Sequence, residues 1–238
     1  MSLTAALPTP GLWSRIKNSL RASAGDIVFG MEDGTVSIFG LVAGVAATSS
    51  DSTTVLIAGA AGAGAAAVSM GAGVFLDRQT ERAQRKADMD ALLAEASRDP
   101  GALHRHVVGR LTASGLSDET ANKLAAVVED DPANAARFAE ALDDPAPSDA
   151  GTVAHASWMF VADLFAGLVP VIPFLFLPVE AARWWAIGVT VVLMILLGIG
   201  RAKVGHTPLV STVLSTLAIA AAAGIVGVLI GWGLDSTL

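Results

Sequence analysis

From Leu209 to Leu234 the chain carries no charged side chain at all. A segment of that length and composition has one stable home. A bilayer core is crossed by about 20 mostly apolar residues in a helix, because lipid satisfies none of the backbone's hydrogen-bonding groups. Similar stretches run over 27–47, 54–76, 158–177 and 184–200. The pattern predicts an all-α integral membrane protein of five transmembrane helices. The loops after the first and third spans are very short, so those pairs read as helical hairpins.

The remaining polarity is concentrated. Charged residues make up 16% of the chain, against about 25% for an ordinary soluble domain. Most of them lie between Asp77 and Asp149. That segment is too polar for lipid and reads as a helical cytoplasmic domain between the second and third spans. The expected organisation is therefore a cytoplasmic N-terminal segment at 1–25, the first two spans within 26–76, the polar domain at 77–155 and the last three spans within 156–238. Residues 12–20 read as a short interfacial helix or as a plain solvated one.

Within the polar domain the punctuation is helical. The second span is expected to continue to about Arg98. Asp99-Pro100 then supplies an N-cap and a first-position proline. Gly115 ends the next helix, and Ser117 or Asp118 caps another. Asp131-Pro132 precedes a helix over 133–142, and Pro145 to Ser148 form a linker. No alternating β-branched run argues for a sheet.

Lys and Arg set the expected orientation. With the N-terminus inside, Arg15, Lys17, Arg21, Arg78, Arg82, Arg85, Lys86, Arg201 and Lys203 are all cytoplasmic, and only Arg183 falls outside. The C-terminus is then external. The Ala-rich composition and short loops point to a bacterial inner membrane. The net charge of −7 and the lack of clustered cations exclude nucleic acid as a partner. The absence of cysteine excludes disulfides, iron–sulfur clusters and thiolate zinc sites.

Ionisable side chains inside spans are costly, about 2.5–3.5 kcal/mol each on insertion scales, and usually functional. Glu32 and Asp33 lie in the first span and Asp163 in the third. Asp33 is about seven residues in from Asp26, roughly 10 Å at the helical rise. Asp163 is nearly as deep from Ser157, and Met70 is as deep from Asp77. Three helices thus offer two carboxylates and a thioether in one layer. Carboxylates suit Mn²⁺ and Fe²⁺, and a thioether disfavours Mg²⁺ and Ca²⁺. The competing readings are that Met70 only packs and that Glu32 snorkels to the interface. Asp33-Gly34 is also a candidate break in the helix that frees carbonyls for an ion.

Small residues stand four apart at Gly30 and Gly34, Gly40 and Gly44, and Gly227 and Gly231. Such faces allow close helix packing. Ordinary packing within the chain is the plain reading, and a homodimer interface is the other.

Three motifs in order carry a resemblance. Phe29-Gly30-Met31-Glu32-Asp33-Gly34-Thr35-Val36-Ser37-Ile38-Phe39-Gly40-Leu41-Val42-Ala43-Gly44 resembles the first-span signature of the vacuolar iron transporter family, which includes the yeast vacuolar iron and manganese carriers. Ala67-Val68-Ser69-Met70-Gly71-Ala72-Gly73 resembles its second-span signature, and Gly167-Leu168-Val169-Pro170-Val171-Ile172-Pro173-Phe174 that of its third. The resemblance implies a homodimer of five-span subunits with a path between them. It implies export of Fe²⁺ or Mn²⁺ from the cytoplasm against inward protons, with no enzymatic activity and no resident cofactor. The family's membrane ligands fall on Asp33 and Met70.

Aligned on Pro100 and Phe138, the family's cytoplasmic metal ligands correspond to Leu92, Glu95, Leu103, His106, Ala139 and Asp143. Only Glu95, His106 and Asp143 retain a ligating atom. The family's frequent glutamate early in the second span corresponds to Gly62, and Glu32 and Asp163 stand where the family is usually uncharged. Glu81, Asp88 and Glu95 share a helix face, which reads as a solvated acidic stripe. His104 and His106 do not share one, and His155 and His206 sit at membrane boundaries. A non-transporting membrane scaffold or metal sensor is the alternative reading. An intramembrane aspartyl protease is set aside because its Gly-x-Gly-Asp and Pro-Ala-Leu signatures are missing.

Overall fold

A computed structural model of the chain describes residues 13, 17, 19–20, 23–99, 101–128, 138–139, 141–142 and 149–237. Among the described residues the protein is all-helical. The helices are α1 (Ala24–Thr48), α2 (Ser52–Ala96), α3 (Gly101–Ala113), α4 (Asp118–Val128), α5 (Asp149–Leu168), α6 (Pro173–Phe176), α7 (Val179–Gly205) and α8 (Leu209–Asp235). The chain divides into two compact units, one of residues 1–75 with 150–238 and one of residues 76–149.

Four helices among the described residues are long and apolar enough to cross a membrane: α1 from Ile27, α2, α7 and α8. Their outward faces are apolar, with Val192, Leu196, Leu214, Ile225 and Leu229 each more than half exposed. In water such a surface would aggregate; against acyl chains it costs nothing. The segment 158–177, expected as one continuous span, is broken. α5 ends at Leu168, three-residue turns carry the chain through Val169 to Ile172, and α6 follows. Pro170 and Pro173 are the cause. Neither has an N–H to give to the preceding turn, and each ring clashes with the carbonyl four residues back. The irregular stretch is tolerated because it is covered, with Pro170, Val171, Pro173 and Phe174 all buried. Val171 fits against α2 only because residue 59 is glycine. A Cβ there would lie 2.8 Å from one methyl of Val171 and 2.9 Å from a methyl of Val42.

The small-residue pairs are used within the chain. Gly40 and Gly44 of α1 meet Gly227 and Gly231 of α8 with backbone against backbone, so closely that no side chain fits at these positions. Gly30 and Gly34 instead face α5, at Met159 and Asp163. Without a hydrophobic drive in lipid, dispersion over such close contacts is what holds helices together. Ile38, Val42, Val55, Ala63, Val171, Phe174 and Ala182 form the main apolar core of this unit.

In the other unit the helix signals act as read. Asp99 caps α3 by accepting from the N–H of Gly101 at 2.9 Å. Gly115 takes φ +97°, the left-handed turn that ends the helix. Ser117 accepts from the N–H of Thr120 at 3.4 Å and so caps α4. Leu103, Val107, Leu111, Ala121, Ala125 and Ala139 form its buried core, with Leu92 and Phe138 packed against it. The expected helix over 133–142 is described only at 138–139 and 141–142, and the linker at 145–148 lies outside the described residues. Of the expected interfacial helix, Trp13, Lys17, Ser19 and Leu20 are described and helical.

Candidate functional site: a membrane carboxylate layer

Asp163 is the most unusual polar residue of the membrane unit. It is 1% exposed, and neither carboxylate oxygen has a hydrogen-bond partner. Burying a carboxylate without partners is among the most costly arrangements available to a fold, and such groups call for a ligand, a proton or both. Glycine makes the arrangement possible. A Cβ built on Gly34 would lie 2.7 Å from Asp163 Oδ1 and 2.5 Å from its carbonyl oxygen. At the next residue, Thr35 Oγ1 lies 2.7 Å from the carbonyl of Met31 and 3.4 Å from that of Ala166, within donating distance of both α1 and α5.

Asp33 precedes the glycine. It is exposed within the single chain. α1 does not break at Asp33-Gly34; the helix is continuous there. Met70 is half-buried on α2. Its neighbour Gly71 lies against Phe160 and the carbonyl of Ala156, with a Cβ at 71 only 3.2 Å from Phe160 Cβ. Phe160 is one turn before Asp163 on α5. Asp33, Met70 and Asp163 thus stand on adjoining turns of three helices. Among the described residues, no three His, Asp or Glu side chains gather at metal-ligand spacing.

Glu32 is engaged elsewhere. It is 6% exposed, and Arg201 of α7 donates to both of its oxygens, at 3.1 and 3.2 Å. Its carboxylate is thus buried and paired rather than extended into water. In the sequence Arg201 counts only toward orientation, and nothing local names it as the partner of Glu32. The available signal is a carboxylate inside one expected span and a cation just past the end of another, within reach of each other if the two helices pack.

The polar unit offers less. Glu95 is exposed and lies 3.9 Å from Arg105, which also pairs with Asp99. That ion pair, followed by the Gly101 N–H, holds the Asp99 carboxyl below the usual carboxylate range. His106 is half-buried, and Asp143 lies outside the described residues. The three positions without a ligating atom have become packing: Leu103 and Ala139 are in the buried core, and Leu92 lies on it.

The long apolar helices define a multi-pass integral membrane protein. Over residues 24–232 the chain matches the VIT family, and it belongs to that family. This is a family of transporters and not of enzymes. It is 30% identical over 214 residues to vacuolar iron transporter 2 of Oryza sativa subsp. japonica, covering 84% of each chain. Identity to vacuolar iron transporter 1 of Eucalyptus grandis is 30% over 182 residues, 75% of this chain and 72% of the relative. Against vacuolar iron transporter 1 of Oryza sativa subsp. japonica it is 28% over 209 residues, 84% and 82% of the two chains.

Proposed function

We propose that the protein exports Fe²⁺ or Mn²⁺ from the cytoplasm in exchange for protons, using Asp33, Met70 and Asp163 as the membrane site. The observation that carries this reading is the buried Asp163 carboxylate, whose two oxygens have no partner, seated beside Gly34. Two neighbouring carboxylates repel when both are ionised, so the empty layer holds a proton, and an entering divalent cation releases it. That exchange couples metal to protons without a further group. The Met70 thioether biases the layer toward Fe²⁺ over Mg²⁺ and Ca²⁺. Asp33 is exposed in the single chain, which supports a homodimer in which the second copy completes the ligand shell. In that assembly the broken 158–177 segment makes the fifth crossing, the N-terminus is cytoplasmic and the C-terminus external. Residues 77–155 form the cytoplasmic domain, where Glu95, His106 and Asp143 are weak collecting ligands beside an apolar core. The membrane is proposed to be a bacterial inner membrane.

The test is flux of Fe²⁺, Mn²⁺, Co²⁺ and Zn²⁺ into proteoliposomes, with and without a pH gradient and with a pH-sensitive dye inside. Gradient-dependent Fe²⁺ or Mn²⁺ flux is expected from wild type and none from folded Asp33→Asn. Absence of flux from the wild-type protein would favour the scaffold or sensor reading instead.

A further inference from the structure

Among the cavities of the membrane unit, one is lined by none of Asp33, Met70 and Asp163. About 580 Å³ in volume, it is bounded by α1, α6, α7 and α8. That is within the range of ligand pockets, about 300–1,000 Å³. Its walls are almost wholly apolar, with Phe39, Ala43, Ala47, Ile225 and Leu229 among them, and Arg183 is the only charged residue. Arg183 is the cation that the expected orientation leaves on the external side. It donates to the carbonyl of Ser49 at 3.4 Å through Nη2, while its buried Nε has no partner. Glu180, one turn before it, is exposed and forms no ion pair with it. From Arg183 to Arg201 is roughly 27 Å along α7 at 1.5 Å per residue, so the two lie at opposite faces of a bilayer that α7 crosses. Trp184 and Trp185 beside it are exposed, as is Trp232 on the cavity wall. Exposed tryptophans of this kind mark headgroup depth.

We propose that this cavity is a binding site for an anionic phospholipid, with an acyl chain in the apolar groove and the phosphate on Arg183. A guanidinium whose hydrogen bond to the Ser49 carbonyl is long, at 3.4 Å, set at headgroup level above an apolar slot, matches an amphiphile with one negative end. A zwitterionic headgroup brings its own cation to the same place and is held less well. The inference does not depend on what the carboxylate layer transports.

The test uses the full-length protein in mild detergent, incubated with equimolar phosphatidylglycerol and phosphatidylcholine. After gel filtration, the retained lipid is quantified by mass spectrometry. Wild type is expected to retain phosphatidylglycerol over phosphatidylcholine by about fivefold, the effect of one cation near an anionic headgroup. Arg183→Gln should bring the ratio to about one, Arg183→Lys should keep a preference, and Ala47→Leu, which narrows the slot, should lower retention of both lipids. The proposal fails if wild type shows no preference, if Arg183→Gln retains it in full, or if excess inorganic phosphate displaces the lipid. Should Arg183→Gln not fold, the wild-type ratio, the phosphate competition and Ala47→Leu still decide.

Discussion

The side chain of Asp163 occupies the space that a side chain at Gly34 would need. A Cβ on Gly34 would lie 2.7 Å from Asp163 Oδ1 and 3.0 Å from its carboxyl carbon. Close approach of α1 and α5 and burial of the carboxylate are therefore one feature, and the glycine next to Asp33 is what permits it.

Gly34→Ala is expected to force the two helices apart, costing about 1–3 kcal/mol by overpacking and reducing flux. Gly188→Ala is the control, since nothing lies within 4 Å of a Cβ there. It should leave stability unchanged or raise it by up to about 1 kcal/mol. Thermal unfolding in detergent compares the two; an equal effect from both would remove the special role of Gly34.

Asp163→Asn should weaken proton movement more than metal binding, because it removes the proton carrier and leaves Asp33 and Met70 in place. Met70→Leu keeps the volume and should mainly blunt preference for Fe²⁺ over harder ions. Both are read from paired metal and dye signals in proteoliposomes. Unchanged coupling in Asp163→Asn would reduce the site to Asp33 and Met70.

Arg201→Gln leaves Glu32 buried without its cation. Because the Arg201 side chain is itself 52% exposed, water offsets part of the loss, and destabilisation of about 1–3 kcal/mol is expected. Glu32→Gln in the same chain should recover part of it, giving a non-additive double-mutant cycle. Additive effects would show that the pair contributes nothing as a pair.

Asp99 ties the start of α3 to Arg105, and these contacts hold its carboxyl below the usual range. Its contribution is therefore complete above the unfolded carboxylate value of about 3.9 and is lost only as pH falls through the lower folded value. Amide exchange at Gly101 and Ala102, corrected for intrinsic rate, should be flat from about pH 5 to 8. In Asp99→Ala it should be faster throughout that range. A wild-type change in protection near neutrality would assign the cap to another group.

Replacing Glu95, His106 and Asp143 together by Ala should lower apparent metal affinity and leave maximal flux largely intact, since Leu92, Leu103 and Ala139 already form apolar packing. Complete loss of flux in a folded triple variant would place an essential site in the polar unit.

The sequence by itself determined whatever depends on neighbours along the chain. Long apolar runs predict α1, α2, α7 and α8, because lipid allows only helices there. Asp99, Gly115 and Ser117 mark helix ends, because caps and left-handed turns are settled within four residues. Pro170 and Pro173 were visible too, but an apolar run conceals the break they impose, and the segment read as a continuous span. Only the tertiary structure decided which residues meet. Glu32 finds Arg201 from 169 positions away, Gly40 and Gly44 find α8, and Asp163 lands on Gly34. Periodicity assigns a residue to a face of its helix but not to a neighbour; the close fit of glycine against backbone and the cost of an unpaired charge in lipid make that choice.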